Sequence, residues 1–304
     1  MSDIPERISV REVGPRDGLQ NEDPVPTEAK IELIDRLSGT GVQRIEAVSF
    51  VRPEAIPQMA DADAVWAGIR RAPAVRYSAL VPNLRGARRA IDSGLTEIEA
   101  VVSASGTHNR KNVNRSTEKS LDDIAKIIEA AHRRGAICQV IVSTAWGCPY
   151  EGDVPVRRVA EVAARAVADG ADCVSFGDTT GMATPRRVRE LVAAFRSAHP
   201  DVPLNVHFHN TRGTGLANVL AALELGVCDF DASVGGLGGC PYAPGATGNI
   251  ATEELVYMAE DMGVATGINL DAMIEAAADA ERIIGRRLPS QVLRAGPRTR
   301  TIPV

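Results

Sequence analysis

The sequence predicts an α/β protein, a (β/α)8 barrel with extra helices at its C-terminal end, forming a single domain over residues 1–304. Three observations carry this. Strand-like and helix-like segments alternate along the whole chain, which implies a parallel sheet. The strand-like segments number eight, with no composition break between them that marks a second domain. Polar motifs follow the first, fifth, sixth, seventh and eighth of these strands. Strands lie about 4.8 Å apart, so an open sheet in sequential order would separate the first from the eighth by roughly 30 Å. Groups that act together must lie within a few ångström; metal–oxygen bonds, for one, are about 2.0 to 2.6 Å long. A closed barrel gathers all the strand ends on one face.

Residues 8–13 form the first expected strand. A helix follows, with Thr27 as its N-cap, Glu28 in its first turn and Leu33, Ile34 and Leu37 on one face. Gly39 and Gly41 punctuate its end. Residues 44–50 are strand two, and 75–81 and 97–103 are strands three and four, separated by a short helix ending near Ser93 and Gly94. In the helix over 120–134, Ile124, Ile127, Ile128 and Ala131 recur at helical spacing. Strand five covers 137–143. Strand six, 173–176, comes after a helix rich in alanine and valine. Strand seven covers 204–209 and strand eight 228–234, with two further helices after Thr252 and Leu270. Residues 294–304 are polar, carry two prolines and read as a tail.

The formal charge of −5 provides no general attraction to nucleic acid or to an anionic membrane. No apolar run approaches the roughly 20 residues that span a bilayer, and residues 1–7 have no apolar signal core. The cysteines, Cys138, Cys148, Cys173, Cys228 and Cys240, are odd in number and loosely spaced. That favours reduced thiols and a cytoplasmic location.

The chemistry concentrates between Val206 and Asn249. In a strand, residues two apart share a face, so His207 and His209 aim two imidazoles at one point. A lone strand histidine is usually a satisfied core residue; a pair at a strand's C-terminal end suits a divalent metal with nitrogen and oxygen ligands. The single nearby aspartate and the absence of a thiolate cluster argue against a structural zinc site. The run Gly235-Gly236-Leu237-Gly238-Gly239-Cys240-Pro241-Tyr242 follows strand eight. Free cysteine often packs as a small hydrophobe, but so many glycines favour a mobile loop or close approach to a ligand. A thiol there can transfer a proton. Asn249 is either a turn residue or a neutral oxygen ligand.

After strand one comes Glu12-Val13-Gly14-Pro15-Arg16-Asp17-Gly18-Leu19-Gln20. Arg16 beside Asp17 is either a surface pair or a metal ligand next to a fixed positive charge, which stabilises a developing anion. Glu46 in strand two is a buried carboxylate that needs a partner, and Arg16 is available. Asp178 follows strand six. The segment Arg110-Lys111-Asn112-Val113-Asn114-Arg115 is a solvated charged loop or a receiver of phosphates; it matches neither a P-loop nor a dinucleotide fingerprint.

Together these residues resemble the hydroxymethylglutaryl-CoA lyases, within the wider metal-dependent lyase and synthase group of TIM barrels. The resemblance runs from about residue 10 to 258. It rests on Val13 to Glu22, on Gly147-Cys148-Pro149-Tyr150-Glu151-Gly152, on Gly177-Asp178-Thr179, on the histidine pair and on Gly235 to Tyr242. It implies that Asp17, His207, His209 and Asn249 bind a divalent cation, Mg2+ or Mn2+, with no further cofactor. It implies that Arg16 stabilises an enolate, that Cys240 transfers a proton and that Glu46 and Asp178 support the site. Gln20, Asn112 and Arg212 are candidate substrate contacts. The implied substrate is an acyl-CoA, 3-hydroxy-3-methylglutaryl-CoA, cleaved to acetyl-CoA and acetoacetate; a homodimer is left open.

The chain departs from the family pattern at three places. Gly106 stands where a glutamate is usual, Asn210 where an aspartate is usual, and Arg212 where a tyrosine is usual. The alternative substrate is therefore citramalyl-CoA or a longer 3-hydroxy-3-alkylglutaryl-CoA. A metal-dependent hydrolase and a non-catalytic binding barrel are readings from other classes. A hydrolase would release free CoA, and a binding barrel would bind without turnover.

Overall fold

The structure, a computed structural model, describes residues 4–239 and 247–301. Strands β1 (Ser9–Glu12), β2 (Arg44–Ser49), β3 (Arg76–Leu80), β4 (Glu97–Ser103), β5 (Ile137–Ser143), β6 (Cys173–Gly177), β7 (Leu204–His207) and β8 (Asp229–Ala232) form a closed barrel in sequential order. All pairs are parallel, and β1 pairs with β8 through Arg11 opposite Asp231 and Glu12 opposite Ala232. The helices are α1 (Thr27–Ser38), α2 (Ala62–Gly68), α3 (Leu84–Asp92), α4 (Gly106–Val113), α5 (Thr117–His132) and α6 (Val156–Ala168). They continue with α7 (Pro185–Ala198), α8 (Gly215–Leu223), α9 (Thr252–Asp261), α10 (Leu270–Ile284) and α11 (Gln291–Ala295). Among the described residues no helix is long and apolar enough to cross a membrane.

Side chains that alternate outward from the strands, such as Val10, Ile98, Val140, Phe176, Val206 and Phe230, are fully buried against the helices. The helices are anchored by local chemistry. Ser116 caps α5 by accepting from Lys119 N, and Asn83 and Asn269 do the same for α3 and α10. Three local expectations change. Thr27 is the first residue of α1 and not its cap, because Pro26 precedes it and the Thr27 hydroxyl donates to Asp61 instead. Residues 110–113, expected in a loop, complete α4, whose cap is Ser105 accepting from His108 N. The region expected as a tail begins inside α11, and Arg298 beyond it donates to Asp261.

The inward positions are polar. Arg11 of β1 reaches across the barrel to Glu99 of β4 and makes a two-pronged contact with Asp231 of β8, Nε to Oδ1 at 2.9 Å and the terminal nitrogen to Oδ2 at 2.8 Å. Ser78 donates to Glu99, and Asn205 donates to Asp231. Burial alone would lower the Arg11 pKa, but Asp231 and Glu99 outweigh it and raise it. A buried charge persists only when paired in this way.

Candidate active site

The first motif folds into a wide helical turn immediately after β1. Three successive amides, Arg16, Asp17 and Gly18, point at the Val13 carbonyl at 3.2, 2.7 and 3.2 Å. This sets Arg16 and Asp17 side by side above the barrel, joined at 2.7 Å. Glu12 holds the turn: its Oε1 accepts from Gly14 N and Val234 N, both at 2.8 Å, and its Oε2 accepts from Thr252. Burial pushes Glu12 up to about 7 despite these bonds.

β7 ends at His207, two residues earlier than expected, and His209 sits in a short bridge with Asn249. The cause is a returning segment. Asn210 N donates to Gly248 O at 2.6 Å, Ile250 N to Phe208 O, and Ser233 N to Ile250 O. Residues 247–251 thus slot between the ends of β7 and β8, which delivers Asn249 to the histidines. The two imidazoles still converge, Nε2 to Nε2 at 3.1 Å. His207 Nδ1 lies 3.2 Å from Asp231 Oδ2, and an N–H donated there leaves Nε2 with its lone pair toward His209. One donor atom each from Asp17, His207 and His209 lie within 4.8 Å of one another.

A divalent ion fits these residues. Two nitrogens about 2.1 Å from one centre and at a right angle stand about 3 Å apart, and the observed separation agrees. The Asn249 amide nitrogen donates to Asp17 Oδ2 at 2.9 Å and to Leu237 O at 3.1 Å, while its buried Oδ1 has no hydrogen-bond partner. An orphaned amide oxygen costs free energy unless something electropositive meets it. Burial would raise Asp17, but Arg16 and the two histidines lower it to about 2; burial and His207 bring His209 down to about 3. An anionic carboxylate and a neutral imidazole are the ligand forms a cation requires. Gly238 has φ +116°, and a side chain there would come within 2.9 Å of Asn249 Nδ2, so this position requires glycine.

Arg16 is 7% exposed and touches Glu46 Oε2 at 2.7 Å on the side away from Asp17. Burial raises Glu46 strongly; Arg16 pulls it down, and Glu99 on its other flank raises it again. Arg16, Asp17, Gln20, His207, His209 and Asp231 line one side of a cavity of about 380 Å³ at the C-terminal mouth of the barrel, and Asn112 lines it from α4. Asp178 does not reach this cavity. It is buried beneath the loop after β6, where Oδ1 accepts from Met182 N and Ala183 N, and burial lifts it to about 7. Nor does Arg212, which is exposed and donates to the carbonyls of Thr180 and Gly181 at 2.7 and 3.0 Å. Asn210 Oδ1 accepts from Gly215 N at the start of α8. Cys240 lies outside the described residues; Gly239, its neighbour in sequence, lines the cavity.

Asp231, Arg11 and Glu12 hold the site together; Glu12 opens the first motif, whereas Asp231 and Arg11 stand in none. The signal was nonetheless present. Asp229-Phe230-Asp231 has the same two-residue spacing as the histidine pair, in a barrel strand that is ordinarily apolar.

The HMGL-like family model matches residues 7–279. A hydroxymethylglutaryl-CoA lyase of Bacillus subtilis is 45% identical over 95% of this chain and 97% of its own length. The mitochondrial hydroxymethylglutaryl-CoA lyase of Gallus gallus is 45% identical over 97% of this chain and 99% of its own. The crystal structure of the B. subtilis HMG-CoA lyase superposes with a TM-score of 0.94, covering 96% of this chain and 98% of that one. An HMG-CoA lyase from Acinetobacter baumannii, in complex with coenzyme A and 3-methylmalate, also reaches 0.94, at 44% identity and full coverage of both chains. The carboxyl transferase domain of Rhizobium etli pyruvate carboxylase, at 19% identity and a TM-score of 0.69, shares the fold alone.

Proposed function

The chain belongs to the HMGL-like family, and from that premise we propose that it is a carbon–carbon lyase cleaving 3-hydroxy-3-methylglutaryl-CoA to acetyl-CoA and acetoacetate. The observation that carries this reading is the convergence of Asp17, His207 and His209 beside Arg16 in one cavity. A divalent cation held by Asp17, His207, His209 and Asn249, Mg2+ or Mn2+, supplies a Lewis acid for the substrate's oxygens when bound.

The rest is work for the chain's own groups. Transfer of the tertiary hydroxyl proton to a base of the site lets the adjacent carbon–carbon bond break, and that bond's electron pair leaves on the acetyl-CoA fragment as an enolate. Arg16 meets that negative charge, held in place by Glu46 from behind and Asp17 from the side. Cys240 then delivers a proton to the enolate carbon. Gln20 and Asn112 contact the acyl-CoA from the cavity wall. Asp178 acts as a positioning residue for the loop after β6. The A. baumannii complex supports an acyl-CoA substrate. Unpaired Cys138, Cys148, Cys173 and Cys228 fit a reducing, cytoplasmic setting.

The test is a cleavage assay on 3-hydroxy-3-methylglutaryl-CoA with Mg2+ or Mn2+, products identified by mass spectrometry. Acetyl-CoA and acetoacetate in equal amounts, lost on chelation and restored by metal, are expected. Release of free CoA instead would make the chain a hydrolase. Cys240→Ser is expected to retain metal binding and lower turnover about 10² to 10⁴-fold, the range of one proton-transfer group; unchanged turnover removes the thiol from the reaction.

A further inference from the structure

Beneath Arg16 the barrel holds more acids than bases. Arg16 touches two carboxyl groups, Asp17 and Glu46, and Arg11 touches two more, Asp231 and Glu99. Four acids thus surround two guanidinium groups. Glu46 and Glu99 are the most enclosed of the four, at 0% and 1% exposure. A surplus of buried negative charge is costly, so the cluster needs a further positive partner or a proton. Glu46 of β2 and Glu99 of β4 stand on either side of β3, and their side chains are hydrogen-bonded to each other.

The atoms of the pair sort themselves. Glu99 Oε1 accepts from Ser78 of β3 at 2.6 Å and from Arg11. Glu46 Oε2 lies 2.7 Å from Arg16. Glu46 Oε1 and Glu99 Oε2 remain, both buried and neither accepting from an N–H or O–H of any other described residue. An ionised carboxylate only accepts, so two of them bond only through a proton between them. The surroundings decide which side carries it. Burial raises Glu46; Arg16 opposes this, and the charge and hydrogen bond of Glu99 raise it again, against a smaller pull from Arg11. Burial would raise Glu99 too, but Arg11, the bond from Glu46 and Ser78 lower it, against Asp231 on β8. On β5, Gln139 opposite Glu99 in the ladder is an uncharged amide, and the Cys138 thiol, pushed up to about 12 by burial, is neutral. Glu99 is the anion and Glu46 the acid.

We propose that Glu46 and Glu99 hold one proton between them, carried on Glu46 Oε1 and donated to Glu99 Oε2, and that Glu99 is through this bond a positioning residue for Arg16. The pair titrates as a unit. The consequence is electrostatic. With Glu46 ionised, Arg16 would have two anionic neighbours and be over-compensated before any substrate arrived. With Glu46 neutral, its carbonyl oxygen, Oε2, still accepts from Arg16 and fixes the guanidinium, while Asp17 alone draws on the charge. The remainder is free to meet negative charge that develops on a reacting group. Glu99 is not among the residues lining the cavity, so it acts on the reaction from behind. The part given to Arg16 rests on the lyase function proposed above; the shared proton does not.

The test is infrared spectroscopy on the full chain with Mg2+ at neutral pH, joined to the pH profile of cleavage. The parent is expected to show the carbonyl stretch of a buried protonated carboxyl that shifts in D2O and is missing from Glu46→Gln. Glu12, Glu253 and Asp178, which burial lifts to about 7, contribute alike to both spectra, so the difference isolates Glu46. In Glu99→Gln the glutamine keeps the volume, brings an N–H toward Glu46 and removes the like charge. The Glu46 band is then expected to titrate away about 1 to 3 pH units lower than in the parent, and the alkaline limb of kcat to move down with it while KM holds. Glu99→Asp keeps the charge and is expected to bring both back toward the parent. A Glu99 that only props the fold would lower kcat alike at every pH and leave the band in place. No such band in the parent, or a band unmoved in folded Glu99→Gln, overturns the inference. Should Glu99→Gln fail to fold by circular dichroism, the parent and Glu46→Gln spectra decide it. A band present with no cleavage of 3-hydroxy-3-methylglutaryl-CoA overturns the lyase reading and leaves the shared proton standing.

Discussion

Arg16→Gln is expected to lower turnover by about 10² to 10³-fold, the typical cost of removing one preorganised group that faces developing negative charge. The site around Arg16 makes the effect specific. Its guanidinium is buried and held from two sides, by Glu46 at 2.7 Å and Asp17 at 2.7 Å. A glutamine keeps hydrogen-bonding capacity but brings no charge. Arg16→Lys keeps the charge yet cannot reach both carboxylates in one plane, so it is expected to recover only part of the loss. Single-turnover kinetics with metal in excess measures the chemical step. Turnover within threefold of the parent in Arg16→Gln would show that the enolate charge is met elsewhere.

His207→Ala should weaken Mn2+ binding beyond the roughly 10 to 100-fold typical of losing only a group behind a ligand. Of the proposed ligands, His207 is the one best fixed in place. Asp231 Oδ2 lies 3.2 Å from its Nδ1, and Arg11 in turn grips Asp231 through two nitrogens, which holds the ring against turning away. Calorimetric titration reads the affinity directly, and the thermal shift produced by saturating Mn2+ should shrink in parallel, since a ligand stabilises only the state that binds it. Parental affinity in this variant would exclude His207 from the coordination sphere.

The barrel was legible because its strands are short, apolar and regularly spaced by helices. The histidine pair was legible because two-residue spacing puts both rings on one face. The chain's departures from that reading have local causes. His209 lies outside β7 because the segment 247–251 captures the backbone at 208 and 210, a pairing set by residues far along the chain. The charged stretch after β4 reads as loop, yet Ser105 caps it and makes α4. Arg212 invites a substrate role by its proximity to His209 in sequence, but its guanidinium serves the carbonyls of the neighbouring loop. Asp231 escaped notice because its importance is relational: it matters through Arg11 on one side and His207 on the other, and neither partner is near it in sequence.

The proposed metal ligands come from distant parts of the polypeptide. Asp17 and Asn249 are hydrogen-bonded across 232 positions, and the first and last strands, β1 and β8, meet only when the barrel closes. During synthesis the chain emerges from its N-terminus, so Asp17 exists for most of translation without Asn249, and Arg11 waits for Asp231 in the same way. High contact order of this kind makes closure the late step of folding. On the proposed ligand set, divalent cation binding would report the joining of the last strand to the first, and the ion in excess would draw the final equilibrium toward the closed ring by mass action.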